Sequence, residues 1–122
     1  MPILSVEIIG DMPESVRTGL AQRIADAAGR ELKSRPQSTW VKLRYISAEL
    51  YAENGGGPPD GHFPVLVSLL QAEPPTAVSL PDLVQRLSRV IGKVCKRPPE
   101  SVHILLEPPA AGRMAFGGKM DP

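Results

Sequence analysis

The chain has 122 residues, a length that suits one compact domain and leaves too little for two separate cores. Fourteen Lys and Arg nearly cancel thirteen Asp and Glu, and no run gathers five or six like charges, which excludes an electrostatic footprint for nucleic acid or a membrane surface. The lone Cys95 excludes an internal disulfide, the opening Met-Pro-Ile-Leu-Ser-Val-Glu lacks a basic signal-peptide head, and no apolar run approaches the ~20 residues of a membrane span, so a cytoplasmic protein is expected.

Ile3 to Ile9 is short, apolar and β-branched, with Ser5 and Glu7 on alternate positions, and predicts a strand with one face more buried than the other. From Pro13 the period changes. Val16, Leu20, Ile24, Ala27 or Ala28, and Leu32 recur every three or four residues and predict one amphipathic helix, which Pro36 is expected to close. Trp40 to Ser47 reads as a second strand. The Gly- and Pro-rich stretch 54–61 that follows holds too many breakers for a regular element, and it opens onto no helix that would make it a phosphate cradle.

The order then repeats. Phe63 to Leu70 is a nearly unbroken apolar run, as a strand buried on both faces would be. Ser79 reads as the N-cap of a helix striped by Leu80, Leu83, Val84, Leu87, Ile91 and Val94, in which Cys95 is expected to pack. Val102 to Glu107 is the fourth strand.

Setting residue n beside residue n+62 aligns Pro2-Ile-Leu with Pro64-Val-Leu, Arg35-Pro36 with Arg97-Pro98, and Gly55-Gly56 with Gly117-Gly118. A doubled unit of this kind buries the apolar face of each half against the other. The expected fold is α/β: one domain, 1–122, of two β-α-β repeats (2–57 and 64–118), with a four-stranded sheet and two helices on one face. The other sheet face carries enough apolar side chains to be covered by further copies in a closed oligomer.

In the offset of 62, Lys42 and Arg44 fall opposite Ile104 and Leu106, which would place two cations under the helices. Burying unpaired cations is too costly. A slip or bulge near residues 38–41 is therefore expected, sending Val41, Leu43 and Tyr45 to the helix side and Lys42 and Arg44 to the other. There Arg44 would neutralise an anionic substrate, or both cations would simply be solvent-exposed or form an intersubunit salt bridge. His62 and His103 are the only histidines and, with one cysteine, give no metal-ligand spacing.

Pro2 follows the initiator methionine. Removal of Met1 would leave a secondary amine, which a dry environment holds neutral near pH 7 and which the ring fixes in orientation. Such a group is suited to general-base catalysis.

The proline heading the first strand, the doubled strand-helix-strand unit and the Gly-Gly of each half together resemble the tautomerase superfamily. Its small members, such as 4-oxalocrotonate tautomerase, are one repeat long and its larger ones two. The closing Arg113-Met-Ala-Phe-Gly-Gly118 is similar to a Met-Ala-Phe-Gly-Gly segment of macrophage migration inhibitory factor.

The resemblance implies a homotrimer, no metal and no cofactor, with Pro2 as base for keto-enol tautomerisation of a small carboxylate-bearing 2-oxo acid. It implies that Arg35, before Pro36, holds the substrate carboxylate, that His103 is a polar pocket residue or a satisfied interior one, and that Met114 and Phe116 form the apolar wall. Met12 stands where 4-oxalocrotonate tautomerase has an arginine, and Gln71, Ala72 and Glu73 where other branches have arginines, which points to a monoacid. The alternatives are a decarboxylase or hydratase of the same superfamily, and a ferredoxin-like binding module in which Pro2 is incidental.

Overall fold

The structure is a computed structural model and describes residues 1–121. The elements run β1 (Ile3–Ile9), α1 (Glu14–Arg17), α2 (Leu20–Glu31), β2 (Trp40–Ile46), β3 (Val65–Leu70), α3 (Leu80–Cys95), β4 (Val102–Leu106), β5 (Met114–Phe116) and β6 (Lys119–Asp121). The sheet order is β2-β1-β3-β4. Each repeat supplies one parallel pair, β1 with β2 and β3 with β4, and the two pairs meet in the antiparallel contact of β1 with β3.

The core lies between one sheet face and the helices. Leu4, Val6 and Ile8 of β1 and Val65, Val67 and Leu69 of β3 pack against Leu20, Ile24 and Ala28 of α2 and Leu83, Leu87 and Ile91 of α3. Each fully buried Leu or Ile contributes about 1.5–3 kcal/mol of burial free energy. The opposite face is open in the single chain. Alternate residues of β3 there are only half-buried, so the apolar run Phe63 to Leu70 is covered on one face and not on both.

The structural repeat is 63 residues, one more than the sequence alignment suggests. Both long helices end in the same motif: Ser34 N–H donates to the Gly29 carbonyl and Arg97 N–H to that of Gly92, each at 2.9 Å. Buried partners obey the same offset, Leu20 with Leu83, Ile24 with Leu87, Ala28 with Ile91, and Val6 with Leu69. Arg35 is therefore the counterpart of Pro98, not of Arg97.

This shift removes the need for a bulge. β1 and β2 pair without interruption from Ile3↔Trp40 to Ile9↔Ile46, as do β3 and β4 from Val65↔Val102. Val41 and Leu43 pack on the core side, and Tyr45 lies under the Arg17 guanidinium of α1, 4.4 Å from its ring centre. Lys42 and Arg44 face the other way, as expected, because the whole first half sits one residue out of step rather than because one strand slips.

The first helix is not continuous. It breaks at Thr18-Gly19, where Gly19 takes φ +66°, and the interruption frees carbonyls that a continuous helix would use. Arg23 takes them up: its guanidinium donates to the Val16 carbonyl and, at 2.9 Å, to that of Thr18. α2 also ends at Glu31, well before Pro36, through left-handed Lys33. At α3 Ser79 holds the N-cap place without a side-chain cap; its hydroxyl accepts from that of Thr76 at 3.3 Å.

Candidate active site

The topology brings three distant segments to one end of the sheet. β2 runs parallel to β1 and so begins beside β1's start, where Trp40 N–H donates to the Pro2 carbonyl at 3.0 Å. β3 is antiparallel to β1 and finishes there, with Leu70 opposite Ile3. β4 follows β3, and the chain beyond it stays at the same end, Ala110 N–H donating to the Gln71 carbonyl at 3.0 Å and Ala111 N–H to that of Ala72 at 3.1 Å.

That last segment carries the β5–β6 hairpin, whose two-residue turn, Gly117-Gly118, has positive φ at both positions as a tight hairpin turn requires. The Phe116 ring stands edge-on to Trp40 with centroids 5.4 Å apart. Trp40 is thus tied to Pro2 through its backbone and to Phe116 through its ring. Its indole N–H donates to the Gln37 carbonyl at 3.0 Å, which fixes the turn that carries Arg35.

Between these parts lies a cleft of about 430 Å³. Met1, Pro2, Leu32 and Phe116 line it with Lys33, Ser34, Arg35, Ser38 and Asp121. Two cations and one carboxylate therefore share a small space with Pro2. With Met1 attached, the Pro2 nitrogen is an amide and has no basicity.

Of the residues singled out in the sequence, Pro2, Arg35 and Phe116 come together here. Met114, in β5 of that hairpin, is buried and does not line the cleft. Arg44 and His103 lie elsewhere in the chain, lining a cleft of about 690 Å³ on the open sheet face, where Arg44 meets Glu7 at 3.7 Å. His62 lines a third cleft with Glu53, Asp60 and Glu100, yet among the described residues no three His, Cys, Asp or Glu side chains are placed to hold a metal ion.

Sequence reasoning missed Lys33, Trp40 and Asp121. The signal for Asp121 was available: Gly-Gly between Met-Ala-Phe and Lys-Met-Asp is a hairpin pattern, and it turns β6 back along β5 so that Asp121 pairs with Met114. Arg97, by contrast, is structural. Its guanidinium donates to the carbonyls of Phe63 at 2.7 Å, Pro64 at 3.4 Å and Asp11 at 3.3 Å, and burial holds it below the usual arginine range. Cys95 is buried, and desolvation pushes its thiol up to about 11.

No protein-family model and no curated sequence matches the chain. Solved structures do. A fused 4-OT, described as a wild-type symmetric trimer, superposes with a TM-score of 0.76 at 17% identity, over 96% of this chain and 93% of that one. This chain has the fold of a fused 4-OT. Pt0534, solved after inactivation by 2-oxo-3-pentynoate, gives a TM-score of 0.74 at 18% identity over 96% and 93% of the two chains. Malonate semialdehyde decarboxylase, described with decarboxylase and hydratase activities, gives 0.67 at 13% over 94% and 90%. The likeness to these structures, like the resemblance to the tautomerase superfamily read from the sequence, spans both repeats, and at these identities it establishes the fold alone.

No helix among the described residues is long and apolar enough to cross a membrane.

Proposed function

We propose that the chain, freed of Met1, is a cofactor-independent tautomerase of that superfamily, with Pro2 as general base for keto-enol tautomerisation of a small 2-oxo acid. One observation carries the reading: Pro2, Arg35 and Phe116, far apart in sequence, line a single cleft. The fold shared with fused 4-OT supports it, and the inactivation of Pt0534 by 2-oxo-3-pentynoate supports a 2-oxo acid as substrate class.

This reading requires Leu32 and Phe116, which line the cleft, to keep water from the Pro2 nitrogen, because a poorly solvated amine favours its neutral form. The neutral nitrogen takes the enol hydroxyl proton, the O–H electron pair becomes the carbonyl π bond, and the former C=C pair takes the proton from the prolinium at carbon. Proton and charge balance, and the amine is regenerated. Arg35 holds the carboxylate with two parallel bonds, which fixes the reacting carbon over the nitrogen.

The functional unit in this reading is a homotrimer. The open sheet face, with Leu66, Leu70 and largely exposed Leu105, and the trimeric state of the fused 4-OT support it.

A second reading, a decarboxylase or hydratase, is favoured by Asp121, whose carboxylate lines the cleft and is suited to activating a water. The test is intact mass of the purified chain, then ketonisation of phenylenolpyruvate by wild type and Pro2→Ala. Loss of Met1 and a fall of about 10²-fold or more in the variant are expected. An unchanged rate rejects the base and leaves the binding-module alternative. Release of carbon dioxide from a 3-oxo acid, abolished in Asp121→Asn, would decide for the lyase.

A further inference from the structure

The two repeats place their helix-to-strand turns at opposite ends of the sheet, because β3 runs antiparallel to β1. At the offset of 63, Met1 and Ser38 of the Pro2 cleft correspond to Pro64 and Ser101, and these line the third cleft, of about 380 Å³. The two clefts are counterparts that share no lining residue.

Their charges are opposite. Lys33 and Arg35 line the Pro2 cleft, whereas their counterparts Lys96 and Pro98 do not line the other one. Arg97 is turned away to the carbonyls of Phe63, Pro64 and Asp11. What lines the space is Glu53, Asp60 and Glu100, with no lysine or arginine. Among the described residues none of these carboxylates meets a Lys or Arg in an ion pair. Glu53 accepts from the Tyr51 hydroxyl at 2.6 Å and Asp60 from the His62 N–H at 3.1 Å, and neutral donors leave both charges uncompensated.

A buried hydroxyl opens into the same space. Ser101 is the one buried polar residue among those described, 5% exposed, and its side chain makes no hydrogen bond to them. No enclosed polar side-chain atom of the described residues lacks a partner, so this hydroxyl keeps its access through the cleft that it lines. The carboxylates are not placed to share a metal ion. They suit a larger cation that carries its charge on N–H donors, and the rings of Pro58, Pro59 and Pro64 offer CH surface to an alkyl body.

We propose that this cleft binds a short alkyl diammonium, one ammonium donating to the Ser101 hydroxyl and Glu100, the other to Glu53 and Asp60, with the methylenes along the prolines. Two positive charges then meet three negative ones, in a volume within the ordinary range for small-ligand pockets. The Pro64 nitrogen is an internal amide, so the site binds and has no proline base. His103, which also lies on the open sheet face, takes no part in the proposed contacts. The site does not depend on Pro2 being catalytic.

The test is a calorimetric titration of the full chain with 1,4-diaminobutane near neutral pH, with the His62 ring protons followed by NMR. Saturable binding of one diamine per chain and a matching shift at His62 are expected, with butylamine weaker and butanol not bound. Glu100→Gln is expected to weaken binding about tenfold and Ser101→Ala several-fold, while Asp121→Asn in the Pro2 cleft leaves it unchanged. Glu100 is exposed, so its variant keeps the fold, to be checked by circular dichroism. Ser101→Ala should keep the urea midpoint of the wild type, because its hydroxyl serves no protein group. The proposal is overturned if binding does not saturate, if sodium chloride at equal ionic strength or calcium chloride has the same effect, or if Asp121→Asn abolishes binding while Glu100→Gln does not. A lowered urea midpoint in Ser101→Ala with unchanged affinity also overturns it.

Discussion

Lys33 and Lys96 occupy the same place in the two repeats, each closing a long helix in the left-handed conformation with φ of 54° and 56°. Such a position favours glycine, because an L side chain there crowds the following carbonyl by roughly 1–2 kcal/mol. Lys96 lies outside the Pro2 cleft. Lys96→Gly is expected to raise stability by about 1 kcal/mol, measured by urea unfolding, with no change in phenylenolpyruvate turnover.

Four residues before these two lysines, Gly29 and Gly92 are also counterparts, yet their surroundings differ. A Cβ on Gly29 would meet Thr39 at an ordinary 3.8 Å, whereas on Gly92 it would stand 2.7 Å from the Arg97 carbonyl oxygen. Gly29→Ala should gain up to about 1 kcal/mol of helix propensity. Gly92→Ala should instead lose stability, because backbone has to move. A pair of denaturation curves displaced in the same direction would contradict the packing described.

Arg23 serves the carbonyls that the break at Gly19 leaves free. Its replacement by Met keeps the aliphatic stem and removes both bonds. A loss of about 1–3 kcal/mol is expected, together with faster hydrogen exchange in residues 13–19 but not in α3.

Cys95 gives a pH signature with a definite sign. Its thiol ionises at 9.0 in the ordinary state and near 11 in the fold, so the folded chain holds its proton longer than the unfolded one. Stability is therefore full below pH 9 and falls as pH rises to about 11, by on the order of 2–3 kcal/mol. Cys95→Ala or Cys95→Val should flatten this alkaline limb. At pH 8 the wild-type thiol should react with thiol reagents only on unfolding.

Arg35→Ala tests the carboxylate clamp. Removing a charge-assisted pair is expected to raise KM about 10–100-fold with a smaller change in kcat, while Pro2→Ala acts chiefly on kcat. If the proposed function holds, the pH–rate profile of the wild-type protein should show a basic group titrating well below an ordinary secondary amine. A limb at the ordinary amine value would mean that the cleft does not keep Pro2 dry.

Much of this was legible in the residues. The alternation of Ile3 to Ile9, the stripe from Leu80 to Val94 and the repeated order of elements gave the four strands, the two long helices and the face they cover. Even the outward turn of Lys42 and Arg44 followed from the cost of burying cations. The mechanism assigned to that turn was wrong, because matching Arg35-Pro36 with Arg97-Pro98 set the repeat one residue short. Identical dipeptides carry little weight against the pairing of whole strands. The break at Gly19 was also hidden, since the apolar stripe continues across it and only Arg23, folded back on its own helix, makes the interruption tolerable.

The amino-acid order by itself determined which segments are strands, which are helices and which faces are apolar, because these depend on periodicity within a few residues. Only the tertiary structure decided that Pro2, Arg35 and Phe116 share one cleft while Arg44 and His103 lie in another. That depends on strand direction and on a one-residue register between halves, set by the joint packing of β1, β3 and the two long helices, and no local stretch of sequence contains it.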